Sequence, residues 1–98
     1  MAQYLAMRIQ LSSNFHKKIK KENVRIQKSF KEALRLFMLN PFDPQLDNHP
    51  LKNLWKGCRS IDITADYRAI YEELNEKNIV IAHFITIGTH KELYAKDN

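Results

Sequence analysis

Residues 40–53, NPFDPQLDNHPLKN, hold all three prolines of the chain. Proline cannot donate in a helical or central-strand ladder, and it turns the residue before it away from helix. No long regular element can run through this stretch, which reads as an ordered loop. It divides the chain into a part with mostly helical periodicity and a part that alternates like strands.

Before the loop, Met7, Ile9 and Leu11 alternate with Arg8 and Gln10, which predicts a short strand with one buried face. Ser12 and Ser13 offer N-cap oxygens for a helix, and Leu11 is placed to pack back on its first turn. Phe15 and Ile19 are one turn apart, while Lys17, Lys18, Lys20 and Lys21 cover the other sides. Asn23 marks a break, giving either two helices in an antiparallel hairpin or one bent helix. Beyond it Ile26, Phe30, Ala33, Leu34, Phe37 and Met38 keep the helical period until Pro41 stops it.

After the loop come three strand-like runs: residues 58–63, 67–73 and 79–87. Turns at 64–66 and 75–78 separate them, and the last run, the most apolar, is expected at the centre of the sheet. His83 alternates in phase with Ile79, Ile81, Ile85 and Ile87, which reads as a core or partner-facing histidine. Thr89-x-x-Glu92 is a capping box that opens a short helix through Tyr94. The order β-α-α-β-β-β-α predicts one α+β domain over residues 1–98, an antiparallel-rich sheet packed on a helical hairpin.

A single Cys excludes an internal disulfide framework and a cysteine-based zinc site, and Cys58 reads as an inert strand thiol. The four histidines show no metal-ligand spacing, so neither a metal nor another cofactor is expected. No apolar run approaches the roughly 20 residues needed to cross a bilayer, and the opening MAQYLAMRIQ lacks the pattern of a secretory leader. A cytoplasmic protein without membrane contact is the expectation. Charge is concentrated: residues 17–35 carry eight Lys or Arg against two Glu. That field suits a polyanion, and it is equally the composition of a solvated helix face, to which His16 belongs.

The sequence also carries an ordered set of short motifs: Asn-His49-Pro-Leu-Lys52, then Leu-Trp-Lys-Gly-Cys-Arg59, then Asp66-Tyr-Arg68-Ala-Ile-Tyr71, then Gly-Thr-His90 and Leu-Tyr94. In this order and spacing they resemble the RelE/ParE superfamily of bacterial toxins, and within it the YafQ-like branch. The resemblance spans nearly the whole chain and implies a RelE-like microbial RNase-type fold. It further implies a type II toxin that cuts mRNA on the ribosome, is neutralised by a cognate antitoxin, and meets operator DNA only through the antitoxin complex.

Metal-free RNA cleavage uses the 2′-hydroxyl as nucleophile and leaves a 2′,3′-cyclic phosphate. It needs a base, an acid and cations for the crowded phosphorane. Imidazole, carboxylate and guanidinium are suited to those tasks. The resemblance assigns His49, Asp66, Arg68 and His90 to the catalytic set, and Lys52, Arg59 and Tyr94 to RNA binding. Each has a structural alternative: a loop histidine for His49, a turn residue for Asp66, and a helix-cap position for His90. Arg68 can instead pair with Glu72 or Asp66, Lys52 and Arg59 can be surface cations, and Tyr94 can pack its helix on the sheet. The chain departs from the branch at Asp62, where a second histidine is usual, and near Thr86, where an arginine is usual. Asp62 is a candidate substitute base. Two other classes remain open: a ParE-like gyrase inhibitor, against which His49 and His90 argue, and an antitoxin-binding module without catalysis.

Overall fold

The computed structural model of the chain describes residues 7–94. The first six residues, read above for a leader, lie outside them. Each helix is opened by its own local chemistry. Phe15 N–H donates to Ser12 Oγ at 3.0 Å, opening α1 (Ser13–Lys21). Ile26 N–H donates to Asn23 Oδ1 at 2.9 Å, opening α2 (Val24–Leu39). Gln27 Nε2 reaches back to the carbonyls of Ile19 and Glu22, at 3.1 and 3.0 Å, and satisfies the end of α1. The break at Asn23 therefore yields two helices. In α3 (His90–Tyr94) the capping box closes reciprocally: Glu92 N–H to Thr89 Oγ1 at 3.1 Å, Thr89 N–H to Glu92 Oε1 at 2.8 Å. No helix among the described residues is long and apolar enough to cross a membrane.

The strands are β1 (Met7–Leu11), β2 (His49–Pro50), β3 (Arg59–Asp62), β4 (Tyr67–Glu76) and β5 (Ile79–Thr89). They form one mixed sheet in the order β1-β5-β4-β3-β2, with β1 parallel to β5 and the other pairs antiparallel. This α+β architecture agrees with the sequence expectation, with two corrections. The proline-rich segment is not all loop: it holds 3-10 turns at Pro44–Leu46 and Asn53–Trp55 and the two-residue strand β2. Pro50 is tolerated there because β2 is an edge strand. The middle strand is β4, and β5 stands between β4 and β1. The β4–β5 turn, Lys77-Asn78, has both φ angles positive, 48° and 68°, the two-residue geometry that matches the twist of a hairpin.

The core lies between α1, α2 and one sheet face. Phe84 is fully buried, with its ring centroid 5.1 Å from Tyr71, 5.5 Å from Phe37, 6.0 Å from Phe15 and 6.1 Å from Phe30. Met38, in phase with these on α2, is exposed.

A bulge in β5 has wider consequences. Ile70 pairs with Thr86 while Tyr71 pairs with Phe84, which leaves Ile85 as the extra residue. The alternation changes phase there, so Phe84 and Ile87 both join the helix-side core. His83 does not share a face with Ile87 as the simple alternation predicts. Its Nδ1 instead sits 3.1 Å from Glu72 Oε2 of the paired strand. On the far face Ile70, Leu93 and Tyr94 form a smaller cluster with Leu51, Trp55 and Cys58. Trp55 Nε1–H donates to the Leu93 carbonyl at 2.9 Å and locks α3 to the 53–55 turn.

Candidate active site

Residues paired across adjacent strands point to the same face of a sheet. His49, Ser60, Ile70 and Thr86 form one such row across β2, β3, β4 and β5. Asp62, Arg68 and Gly88 form a second row on the same face, two residues further along. Helices α1 and α2 cover the other face, and α3 alone packs on this one. Chemistry-bearing residues far apart in sequence are brought together here.

Arg68 is fixed on both sides. Its Nε lies 2.9 Å from Asp62 Oδ1, and Nη1 donates to the carbonyls of Thr64, Ala65 and Tyr67 at 3.0–3.1 Å. Its acidic partner is thus Asp62, neither Glu72 nor Asp66. Nη2 has no protein acceptor among the described residues, so its two N–H groups are the donors left over there. Partial burial pushes the Asp62 carboxyl up from its ordinary range; the Arg68 charge opposes this, Asp47 adds to it, and His49 opposes it. The influence of His49 on Asp62 agrees with their positions, diagonal to one another on one face.

His49 is exposed on β2. Its Nδ1 stands 2.7 Å from the Asp47 carbonyl, which can only accept, so Nδ1 is the donor and Nε2 is the ring nitrogen turned away from this bond. His90 sits at the opposite side of the site, where β5 ends. Its N–H donates to the Asp66 carbonyl at 3.1 Å, and its ring meets the Tyr94 ring edge-on at 4.6 Å. The Asp66 side chain is exposed at the tip of the β3–β4 turn. Arg68 and Asp62 stand between the two histidines.

Two of the expected RNA-binding residues are occupied otherwise. Tyr94 is only 9% exposed, and its hydroxyl donates to Ser60 Oγ at 3.1 Å. Its ring is sandwiched by the protein and supports His90 rather than offering a platform for a base. Arg59 pairs across the sheet with Tyr71, so it faces the helix side. There its Nε donates to Asn48 Oδ1 at 2.8 Å and its guanidinium lies 5.3 Å over the Phe42 ring. Lys52 is exposed at the start of the 53–55 turn. Sequence reading missed Ser60 and Trp55, which hold α3 in place, because both act through partners more than 30 residues away.

The family model described as "Bacterial toxin of type II toxin-antitoxin system, YafQ" matches residues 7–95. The chain belongs to this family. YafQ from E. coli strain BL21(DE3) superposes with a TM-score of 0.71 at 28% identity, over 90% of this chain and 98% of that one. The E. coli DinJ-YafQ toxin-antitoxin complex gives 0.68 at 27% identity, covering 90% and 97%. The YoeB/ParE toxin from Agrobacterium tumefaciens gives 0.69 at 20% identity, covering 86% and 99%, a likeness of fold. No curated protein matches the chain in sequence.

As a YafQ-family toxin, the chain presents its histidines singly, on different elements. Among the described residues no three His, Cys, Asp or Glu side chains group closely enough to hold a metal ion. The chemistry-bearing groups beside or flanking Arg68 on this side of the sheet are a carboxylate, a carbonyl-fixed imidazole and an imidazole set edge-on against a tyrosine ring. That donor set can move protons and stabilise an anion.

Proposed function

We propose that this toxin is a ribosome-dependent mRNA endoribonuclease acting by 2′-hydroxyl attack. The observation that carries the reading is the placement of the Arg68 guanidinium between His49 and His90 on one face of the sheet. In-line displacement at a phosphodiester needs a base on the entering oxygen, an acid on the leaving oxygen and a cation at the phosphate. His49, whose Nδ1 is held by the Asp47 carbonyl so that Nε2 is the nitrogen available to a substrate, suits the base. His90, exposed and steadied by Tyr94, suits the acid. Asp62, with its carboxyl raised by burial from its ordinary range, supports His49 or replaces it, and the exposed Asp66 lies at the same rim as His90. Lys52 adds an exposed cation at the site's edge. The toxin works in the cytoplasm as one domain, and its partners are mRNA on the ribosome and a cognate antitoxin, as DinJ is found with YafQ in the E. coli complex.

Purified toxin added to translating ribosomes is expected to cut mRNA in the A site and to leave a 2′,3′-cyclic phosphate on the upstream fragment. Fragments carrying a 3′-hydroxyl and a 5′-phosphate would refute 2′-hydroxyl attack. No RNA cleavage, with gyrase inhibited instead, would favour the ParE-like alternative.

The exposed cations of α1 and α2 serve docking in this reading. The ion pairs found among the described residues involve none of them. Lys17, Lys21 and Lys28 are exposed. Reversing these three to Glu is expected to weaken ribosome binding and flatten its salt dependence, with a melting temperature nearly unchanged, since exposed charges contribute little to stability. An unchanged salt slope would reassign this face to another partner. Lys18 does not belong with them, because it is half-buried and hydrogen-bonded.

A further inference from the structure

Lys18 leaves the helix face that carries the other cations. Its Nζ donates to Thr86 Oγ1 at 3.1 Å. A Cβ placed on Gly88 would lie 3.4 Å from the same Nζ, 3.3 Å from Leu93 Cδ2 and 3.0 Å from Glu92 Oε1. Thr86 belongs to the row of His49, and Gly88 to the row of Asp62 and Arg68, both on the α3 side of the sheet. The ammonium therefore stands on the site face, although its own helix packs its buried Phe15 into the core on the other face. The route is open because β1 stops pairing at Leu11 opposite Phe84, so beyond the bonds from Ser12 to Phe84 and Ile85 the last part of β5 has no paired strand on that edge among the described residues. The bulge at Ile85 then turns Thr86 toward the site, and Gly88, with no side chain, leaves room for the ammonium.

We infer that Lys18 is a phosphate-contacting cation of this active site, approaching the scissile phosphate from the β5 side while Arg68 approaches from β4. The inference rests on the RNA-cleavage reading and adds a residue to it. An ammonium has three donors, and here one is spent on a neutral hydroxyl. No carboxylate among the described residues forms an ion pair with it. Glu92, the acid that shares the Gly88 surface, is engaged by the Thr89 N–H. Lys18 thus brings a positive charge that no described carboxylate pairs with to a half-buried spot on the strand next to that of Arg68. A phosphorane carries more negative charge than the diester it forms from, so two cations converging on it favour the transition state over the bound substrate.

The competing account makes Lys18 a strut between α1 and β5. Single-turnover cleavage on ribosomes, ribosome binding and thermal unfolding separate the two. Lys18→Met, which keeps the length and apolar stem, is expected to slow cleavage on the order of 100-fold. Binding and melting temperature should stay close to wild type, and Lys18→Arg should recover most of the rate. A Lys18→Met protein that cleaves at the wild-type rate overturns the inference. So does a rate loss that follows a fall in melting temperature and is not recovered by arginine. A second measurement does not depend on cleavage: the Lys18 ammonium resonance of the wild-type toxin is followed by NMR while a 2′-O-methyl RNA dinucleotide, which cannot be cut, is added. A marked shift at Lys18 and at Arg68 Nε is expected. A Lys18 signal unmoved at millimolar dinucleotide overturns the inference; a shifted signal in a toxin that cuts no RNA refutes only the nuclease reading.

Discussion

Arg68→Ala is expected to slow single-turnover mRNA cleavage by about 100- to 1,000-fold while ribosome binding stays close to wild type. The size follows from how the guanidinium is held. Three backbone carbonyls and Asp62 fix it before substrate arrives, so no reorganisation is needed when charge builds on the phosphorane. Arg68→Lys should recover little, because an ammonium cannot span those acceptors and also present a further nitrogen to phosphate oxygens. The replacement also tests the electrostatics. Arg68 holds the Asp62 carboxyl down against burial, so its removal should raise that carboxyl further, which a carbon-detected NMR titration reads directly. A lone raised carboxyl favours its protonated form in the folded state. The stability that this contributes is present below the ordinary aspartate range and is lost as pH rises through the raised value. Wild-type cleavage by Arg68→Ala would remove Arg68 from the site. His90→Gln should give a comparable rate loss, and Tyr94→Phe a milder one, since the ring contact with His90 survives and only the Ser60 bond is lost.

Phe84→Ala carries the largest expected effect on stability, about 3–5 kcal/mol by thermal or urea unfolding. Phe84 is fully buried at the point where α1, α2 and β4 meet, and it touches all four other rings of the cluster. Removing it leaves a cavity that the bulge at Ile85 cannot close by a simple shift of register. In a chain of this size each kcal/mol corresponds to roughly 4–8 °C in melting temperature. Domains typically have about 5–15 kcal/mol in total, so the variant should sit near the edge of folding. A loss below about 1 kcal/mol would mean that the cluster is loosely packed and that the fold is held elsewhere.

The features legible in the sequence are those set by neighbours a few residues apart. The caps at Ser12 and Thr89, the break at Asn23, the stop at Pro41, the helical period through Phe37 and the strand runs after residue 58 all follow from local hydrogen bonding and hydrophobic spacing. Together with the ordered motifs these were enough for the α+β class and for the YafQ family. Alternation also placed Met7, Ile9 and Leu11 on the inward face of their strand. It failed at Ile87 and His83, because one unpaired residue in β5 shifts the phase, and a bulge exists only in the relation between two strands. For Arg59 and Tyr94, given as RNA-binding by the resemblance, pairing with Tyr71 and packing against Ser60 set where the side chains stand. Nothing near Arg68 in sequence indicated Asp62 over Glu72 or Asp66, and nothing near Lys18 indicated Thr86, 68 residues away. Local sequence determined which elements form and where they stop. Only the tertiary structure decided which groups share the site face, because that depends on strand register and on where an edge is left open, and both arise when distant segments pack.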